Sequence, residues 1–311
     1  MTAPAVVAQH LTKVFGEQRG ISDVNLTIEP GQVFGFLGPN GAGKTTTIRC
    51  LLGLYRPTSG HAQVLGRDPA SDAATFLADV GYLPGELSLP GTLTGEDLIG
   101  RFSRIRGLTD TAYRHELVER FGAALTRPLR TLSKGNKQKI GIVLTFMHRP
   151  RLLVLDEPTS GLDPLLQDEF ATLLRETVDQ GQTVLLSSHD LEEVQRVVER
   201  LAIIKAGHIV VEDTVEGLRA SAPRTIELGF DHDTSHDIDH DVDMAPLRAL
   251  AQVTIHSETA RHLVLTHTGS AAPVLSAIAR LGPETITARP ADLEELFLRL
   301  YVDEKEEPRA R

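Results

Sequence analysis

Apolar and polar positions along the chain follow two rhythms, and these sort its 311 residues into elements. Short, dense apolar runs at residues 32–37, 151–156 and 183–188 read as buried strands. Residues 21–28 alternate with a period of two, the pattern of a half-buried antiparallel strand, and residues 6–15 form the strand before them. Helical spacing takes over after residue 45 and stops at Gly53, and returns at 98–102 and 110–121 as an all-helical insertion between strands. Thr94, with Asp97 three positions on, predicts a capped start for that insertion. Ile140, Val143, Leu144 and Met147 mark the apolar side of another helix, and further helices are expected over 164–180 and 191–200.

Beyond Leu218 the rhythm changes. Strands are expected at 225–230, 253–255, 262–266 and 285–289, with helices at 271–281 and 292–301. The chain thus reads as α/β over residues 1–218, with a small α+β domain over 219–311. Residues 231–243 interleave Asp with His232, His236 and His240, which would share one face of a helix. So many Asp residues oppose a helix, and the stretch reads as a solvated loop rather than a metal site.

Composition narrows the classes. Hydrophobic residues make up 41% and charged residues 24%, ordinary for a water-soluble globular protein. No apolar window is long enough to span a membrane, and the N-terminal residues read as carrying no secretory leader. The single Cys50 excludes a disulfide framework, suits a reducing cytoplasm and reads as a small core side chain. A net charge of −10 argues against a broad nucleic-acid footprint, so no nucleic-acid partner is expected.

The chemistry centres on Gly38-Pro39-Asn40-Gly41-Ala42-Gly43-Lys44-Thr45-Thr46, which fits G-x-x-x-x-G-K-[ST] between a strand and a helix. Glycines let several backbone N–H groups converge on one anion, and the helix start adds its positive dipole end. Lys44 would reach the β- and γ-phosphates of a nucleoside triphosphate, and the Thr45 hydroxyl would take a place on Mg2+. The strand at 151–156 ends in Asp156-Glu157, adjacent carboxylates that need a metal or a reacting proton. In a P-loop protein Asp156 holds Mg2+ through water, and Glu157 polarises the attacking water. Ser133 and Gly135 open the helix bearing Ile140, a second anion site or an ordinary capped helix. Asp163 closes a tight turn, His189 stands at a strand end where open sheets place ligands, and Phe15 offers a ring to a base or to a core.

In this order the segments resemble the nucleotide-binding subunit of an ATP-binding cassette (ABC) transporter over roughly the first 218 residues. The matching segments are Walker A (38–45), the signature Leu132-Ser133-Lys134-Gly135-Asn136, Walker B (152–157), the D-loop (160–163) and the switch His189. The resemblance implies a P-loop cassette with a RecA-like core, an antiparallel β subdomain and a helical subdomain. It implies a head-to-tail homodimer in which Lys44 and Thr45 of one copy and Ser133 and Gly135 of the other clamp one ATP. Phe15 would stack on adenine, Glu157 would act as general base and His189 would touch the γ-phosphate. It also implies an integral membrane permease as partner, at the cytoplasmic face of the cell membrane.

Two departures stand out. The signature reads Leu-Ser-Lys-Gly-Asn rather than Leu-Ser-Gly-Gly-Gln. Where the family usually carries a Gln there is Gly85, so either Glu86 substitutes or that contact to Mg2+ is absent. The run Leu83-Pro84-Gly85-Glu86 and the predicted last helix are similar to the ABC-2 or daunorubicin-resistance exporters. The expected activity is ATP hydrolysis coupled to efflux. The alternative is a soluble ABC ATPase acting on ribosomes or nucleic acid.

Overall fold

The computed structural model describes residues 3–71, 76–230, 244–259 and 261–289, with backbone alone at 18 and 19. The stretch at 231–243 and the helix expected at 292–301 lie outside these residues. Two compact units emerge, Met1–Asp213 and Thr214–Arg311.

In the first unit, β1 (Val6–Phe15), β2 (Gln18–Ile28) and β4 (Ser59–Val64) form an antiparallel sheet in the order β2-β1-β4. A six-stranded sheet runs in the order β5-β6-β7-β3-β8-β9, and its first five strands are parallel. These strands are β3 (Val33–Leu37), β5 (Val80–Leu83), β6 (Leu152–Asp156), β7 (Thr183–Ser188), β8 (Arg200–Lys205) and β9 (His208–Thr214). Every residue of β3, β6 and β7 is buried, which is why their sequences run apolar without alternation.

Helix α1 (Lys44–Leu51) follows β3. α2 (Gly95–Ile105) and α3 (Ala112–Phe121) make the helical insertion. Thr94 accepts from the Asp97 N–H while the Asp97 carboxylate accepts from the Thr94 N–H, the reciprocal cap its spacing predicts. α4 (Lys134–Phe146) and α5 (Pro164–Asp179) meet through Phe146 and Phe170, edge to face at 6.1 Å.

The helix expected over 191–200 is a correction. Only α6 (Leu191–Val194) is helical there, and Arg200 already begins β8, paired with Phe34 of β3. Val197 and Val198 are stiff, weak helix formers, and pairing beside the central strand outweighs the helical spacing.

The second unit holds α7 (Val215–Ser221) and an antiparallel sheet in the order β11-β12-β10-β13. Its strands are β10 (Arg224–Gly229), β11 (Val253–Glu258), β12 (His262–His267) and β13 (Thr285–Ala288), with α8 (Ala245–Arg248) and α9 (Ala271–Leu281). Ile226, Leu228, Leu263 and Leu265 pack on Val274 and Ile278 in its core.

Candidate functional site

Strand order makes the site. β3 lies between β7 and β8, and β6 lies on the other side of β7. In register, Leu37 stands opposite Ser188 and Asp156 opposite Ser187. The carboxyl ends of three neighbouring strands therefore deliver the glycine loop, the Asp156-Glu157 pair and His189 to one edge, where open α/β sheets bind ligands.

The loop geometry accounts for its glycines. Gly43 sits at φ 116°, and a Cβ there would lie 2.8 Å from the Ile21 side chain, so no other residue fits. Gly43 also caps α1 without any side-chain hydrogen bond, leaving the first-turn N–H groups of the helix to an anion. Ala42 is buried, Asn40 faces the site cavity, and Thr46 lies half-buried in α1.

Lys44 is only 5% exposed. Its ammonium donates to the carbonyls of Gly38 at 2.5 Å and Pro39 at 3.4 Å, and lies 3.2 Å from Glu157 Oε1. Asp156 is buried, and hydroxyls satisfy both its oxygens: Thr45 donates to Oδ2 at 2.8 Å and Ser187 to Oδ1 at 2.5 Å. Sequence reading did not single out Ser187. The available signal was a polar residue in an otherwise apolar strand.

Glu157 turns the chain sharply with φ 50°, a left-handed conformation uncommon outside glycine, and its N–H donates to the Ser187 carbonyl at 3.1 Å. That turn brings Glu157 Oε2 to 2.7 Å from His189 Nδ1, while the imidazole stays 60% exposed. Glu157 is thus held between a buried ammonium and an exposed imidazole.

Thr45, Asp156, Glu157 and His189 border a cavity of about 380 Å³ that also takes in Arg49, Tyr82, Gly85, Glu86 and Ser160, with the Lys44 ammonium buried behind Glu157. Burial, and then the nearby Asp156 charge, push the Tyr82 hydroxyl above its ordinary range. Gly85 is pressed against Asp156: a Cβ there would lie 3.3 Å from the Asp156 carbonyl and 3.6 Å from Oδ2. Glu86 is exposed and lines the same cavity, so it is the loop's one carboxylate at this site.

Phe15, Ser133, Gly135 and Asp163 do not line this cavity. Phe15 ends β1, 41% exposed, with Tyr55 edge-on at 5.3 Å and the Lys13 ammonium 5.1 Å from its ring centre. Ser133 caps α4 by accepting from the Asn136 N–H, and Asp163 caps α5 by accepting from the Leu166 N–H. Around them α4 is fastened to the segment after Glu157. Gln138 donates to the Pro158 carbonyl at 2.6 Å, and Lys134 donates to the Ser160 hydroxyl at 2.7 Å. Gly135 approaches so closely that a Cβ would lie 2.5 Å from the Gly161 carbonyl.

Comparison with known proteins gives one family. The ABC transporter family model, ABC_tran, matches residues 21–160. The probable multidrug ABC transporter ATP-binding protein YbhF of Escherichia coli (strain K12) is 36% identical over 222 residues. That match takes in 70% of this chain and 38% of YbhF, so the chain spans well under half of that relative. The daunorubicin resistance ATP-binding protein DrrA3 of Streptomyces coeruleorubidus is 30% identical over 316 residues, 98% of each chain. Among solved structures, an ATP-binding subunit of an ABC transporter superposes with a TM-score of 0.65 at 29% identity, over 69% of this chain and 92% of that one.

Proposed function

This chain belongs to the ABC transporter family, among its ATP-binding proteins, and on that premise we propose that it hydrolyses ATP to drive export through a separate membrane permease. We take the cassette as residues 1–218 and the accessory domain as 219–311. The observation that carries the reading is Glu157, held 3.2 Å from Lys44 and 2.7 Å from His189 beside the Thr45–Asp156 pair.

A triphosphate laid on the loop and on the start of α1 meets Lys44, whose ammonium then leaves Glu157 for the phosphate oxygens. Glu157, released from that cation, has an oxygen free to accept a proton from the attacking water. His189 keeps Glu157 oriented through Nδ1 and has its other nitrogen for the γ-phosphate. The donor set suits Mg2+: a hydroxyl and a carboxylate, both hard oxygen ligands, already lie together, the Thr45 hydroxyl donating to Asp156 Oδ2 at 2.8 Å. Thr45 and Asp156 would hold the ion together with oxygens of the bound triphosphate and water. Bound there, the ion would neutralise charge on the transferring phosphoryl group.

One copy leaves Ser133, Gly135 and Asp163 away from the cavity, which supports a head-to-tail homodimer that brings them from the second copy. Phe15 is the ring available for adenine. No helix among the described residues is long and apolar enough to cross a membrane. The permease partner, and docking on it from the cytoplasmic face, are the reading that the family resemblance supports. The names of YbhF and DrrA3 point to drug-like cargo.

Glu157→Gln tests this. Hydrolysis should fall by about two orders of magnitude or more, with ATP binding retained and the ATP-bound dimer trapped. Used as bait on solubilised membranes with ATP, that variant should recover a polytopic membrane protein. Undiminished turnover would remove Glu157 from its role, and recovery of ribosomes or nucleic acid alone would replace the export reading.

A further inference from the structure

Beyond His189 stands a half-buried carboxyl that the chemistry above does not use. Glu193, on α6, places Oε2 3.2 Å from the Ser188 hydroxyl, and its Oε1 is buried without a hydrogen-bond partner. The Ser188 hydroxyl accepts from the Asp190 N–H at 3.0 Å, and the Asp190 carboxylate accepts from the Glu193 N–H at 3.1 Å. These bonds close a ring around the peptide that carries His189. Behind the ring lies a cavity of about 110 Å³, bordered by Thr159 and Glu193, by the apolar side chains of Phe170, Leu174 and Leu186, and by the polar ones of Gln167, Asp168 and Arg196.

Burial first, then Asp190 and Glu157, raise the Glu193 carboxyl above its ordinary range, and the Thr159 and Ser188 hydroxyls pull it back. Enclosing a carboxyl costs desolvation, so filling space does not explain the residue. Its position does. Ser188 accepts the Gly38 N–H through its carbonyl, at 3.3 Å, so the segment held by Glu193 also touches the phosphate loop. Thr159 follows Glu157 and Pro158 on the other wall of the same small cavity.

We propose that Glu193 is a positioning residue for ATP hydrolysis, fixing the Ser188-His189-Asp190 segment so that the imidazole stays on Glu157. This rests on the hydrolysis reading above. Removing the carboxyl leaves the Lys44 and Thr45 contacts intact, so the loss should fall on kcat and not on ATP affinity. A supporting group of this kind typically contributes 10–100-fold, as the outer partners of metal-site ligands do.

The test compares wild type, Glu193→Ala and Glu193→Gln. Glu193→Ala should lower kcat by about 10–100-fold with KM for ATP within about twofold. Glu193→Gln, whose amide oxygen still accepts from Ser188, should keep at least about half of the wild-type kcat, since the hydrogen bond survives. The imidazole NMR signals of His189, identified by their loss in His189→Gln, should shift in Glu193→Ala and stay in place in Glu193→Gln. Wild-type kcat in Glu193→Ala overturns the proposal and leaves hydrolysis standing. A wild type without turnover removes the hydrolysis reading, and the His189 signals then decide whether Glu193 holds that ring. Unmoved signals in Glu193→Ala would overturn it in either case.

Discussion

His148 makes the fold sensitive to acid at a calculable cost. It follows α4, half-buried, with Nε2 3.3 Å from the Val80 carbonyl and its Nδ1 atom enclosed without a partner. Arg106 reaches the same turn, donating to the carbonyls of Ala78 at 2.9 Å and Val80 at 3.3 Å. Burial, and then the Arg106 charge, lower the imidazole from its ordinary 6.5 to about 4. The folded protein therefore takes up its proton later than the unfolded chain does. Between pH 6.5 and 4 the unfolded state binds more protons, so stability is complete above 6.5 and drains away as pH falls towards 4.

At about 1.4 kcal/mol for each pH unit inside that window, moving from pH 7 to pH 5 costs roughly 2 kcal/mol, and partial solvent screening brings this to about 1–2 kcal/mol. His148→Gln keeps a donor for Val80 and cannot charge. The assay is urea unfolding of wild type and variant at pH 7 and pH 5, followed by circular dichroism. The loss on acidification should be smaller in the variant by about 1–2 kcal/mol, with the other histidines cancelling in the difference. Equal losses in the two proteins would refute the reasoning.

Phe15→Ala should weaken ATP binding by about tenfold, the worth of a stacked base, whereas Phe15→Trp should bind as wild type does. A fluorescent-ATP titration checks this, and undiminished affinity in Phe15→Ala would place adenine elsewhere. Gly85→Gln restores the family's usual residue on a backbone whose Cβ would stand 3.3 Å from the Asp156 carbonyl. It should therefore raise the Mg2+ concentration for half-maximal hydrolysis rather than lower it, and a lowered requirement would show that the loop yields.

Much of the site was legible because its parts are local. The glycine loop, the paired carboxylates and the histidine each advertise themselves by residue type and by the end of an apolar run. What lay beyond the sequence was the strand order that sets Leu37 beside Ser188 and Asp156 beside Ser187, and with it the second hydroxyl on Asp156. Residues 191–200 misled because Leu191, Val194 and Val198 keep helical spacing, yet Arg200 is claimed by β3. The strands β8 and β9 went unread, as did α8, too short for any periodicity. In the second unit the alternation was enough, and α9 occupies 271–281 as its spacing predicts.

The altered signature is where structure adds most. In Leu132-Ser133-Lys134-Gly135-Asn136 the lysine looks like an intruder beside a phosphate contact. Its ammonium instead bonds Ser160, while the glycine beside it packs on Gly161 and Gln138 holds the Pro158 carbonyl. Three contacts thus bind the start of α4 to the turn that begins at Glu157, with Ser160 sharing the cavity of Asp156 and Glu157. In a head-to-tail pair, Ser133 and Gly135 would grip the ATP held by the other copy. The same fastened piece would carry Glu157 towards its own ATP. A phosphate felt at one site would then be felt at the base of the second, so Lys134→Ala should loosen the coupling between the two sites. The expected sign is a lower Hill coefficient for ATP with each site still able to bind, and an undiminished coefficient would show that Lys134 contributes only to packing.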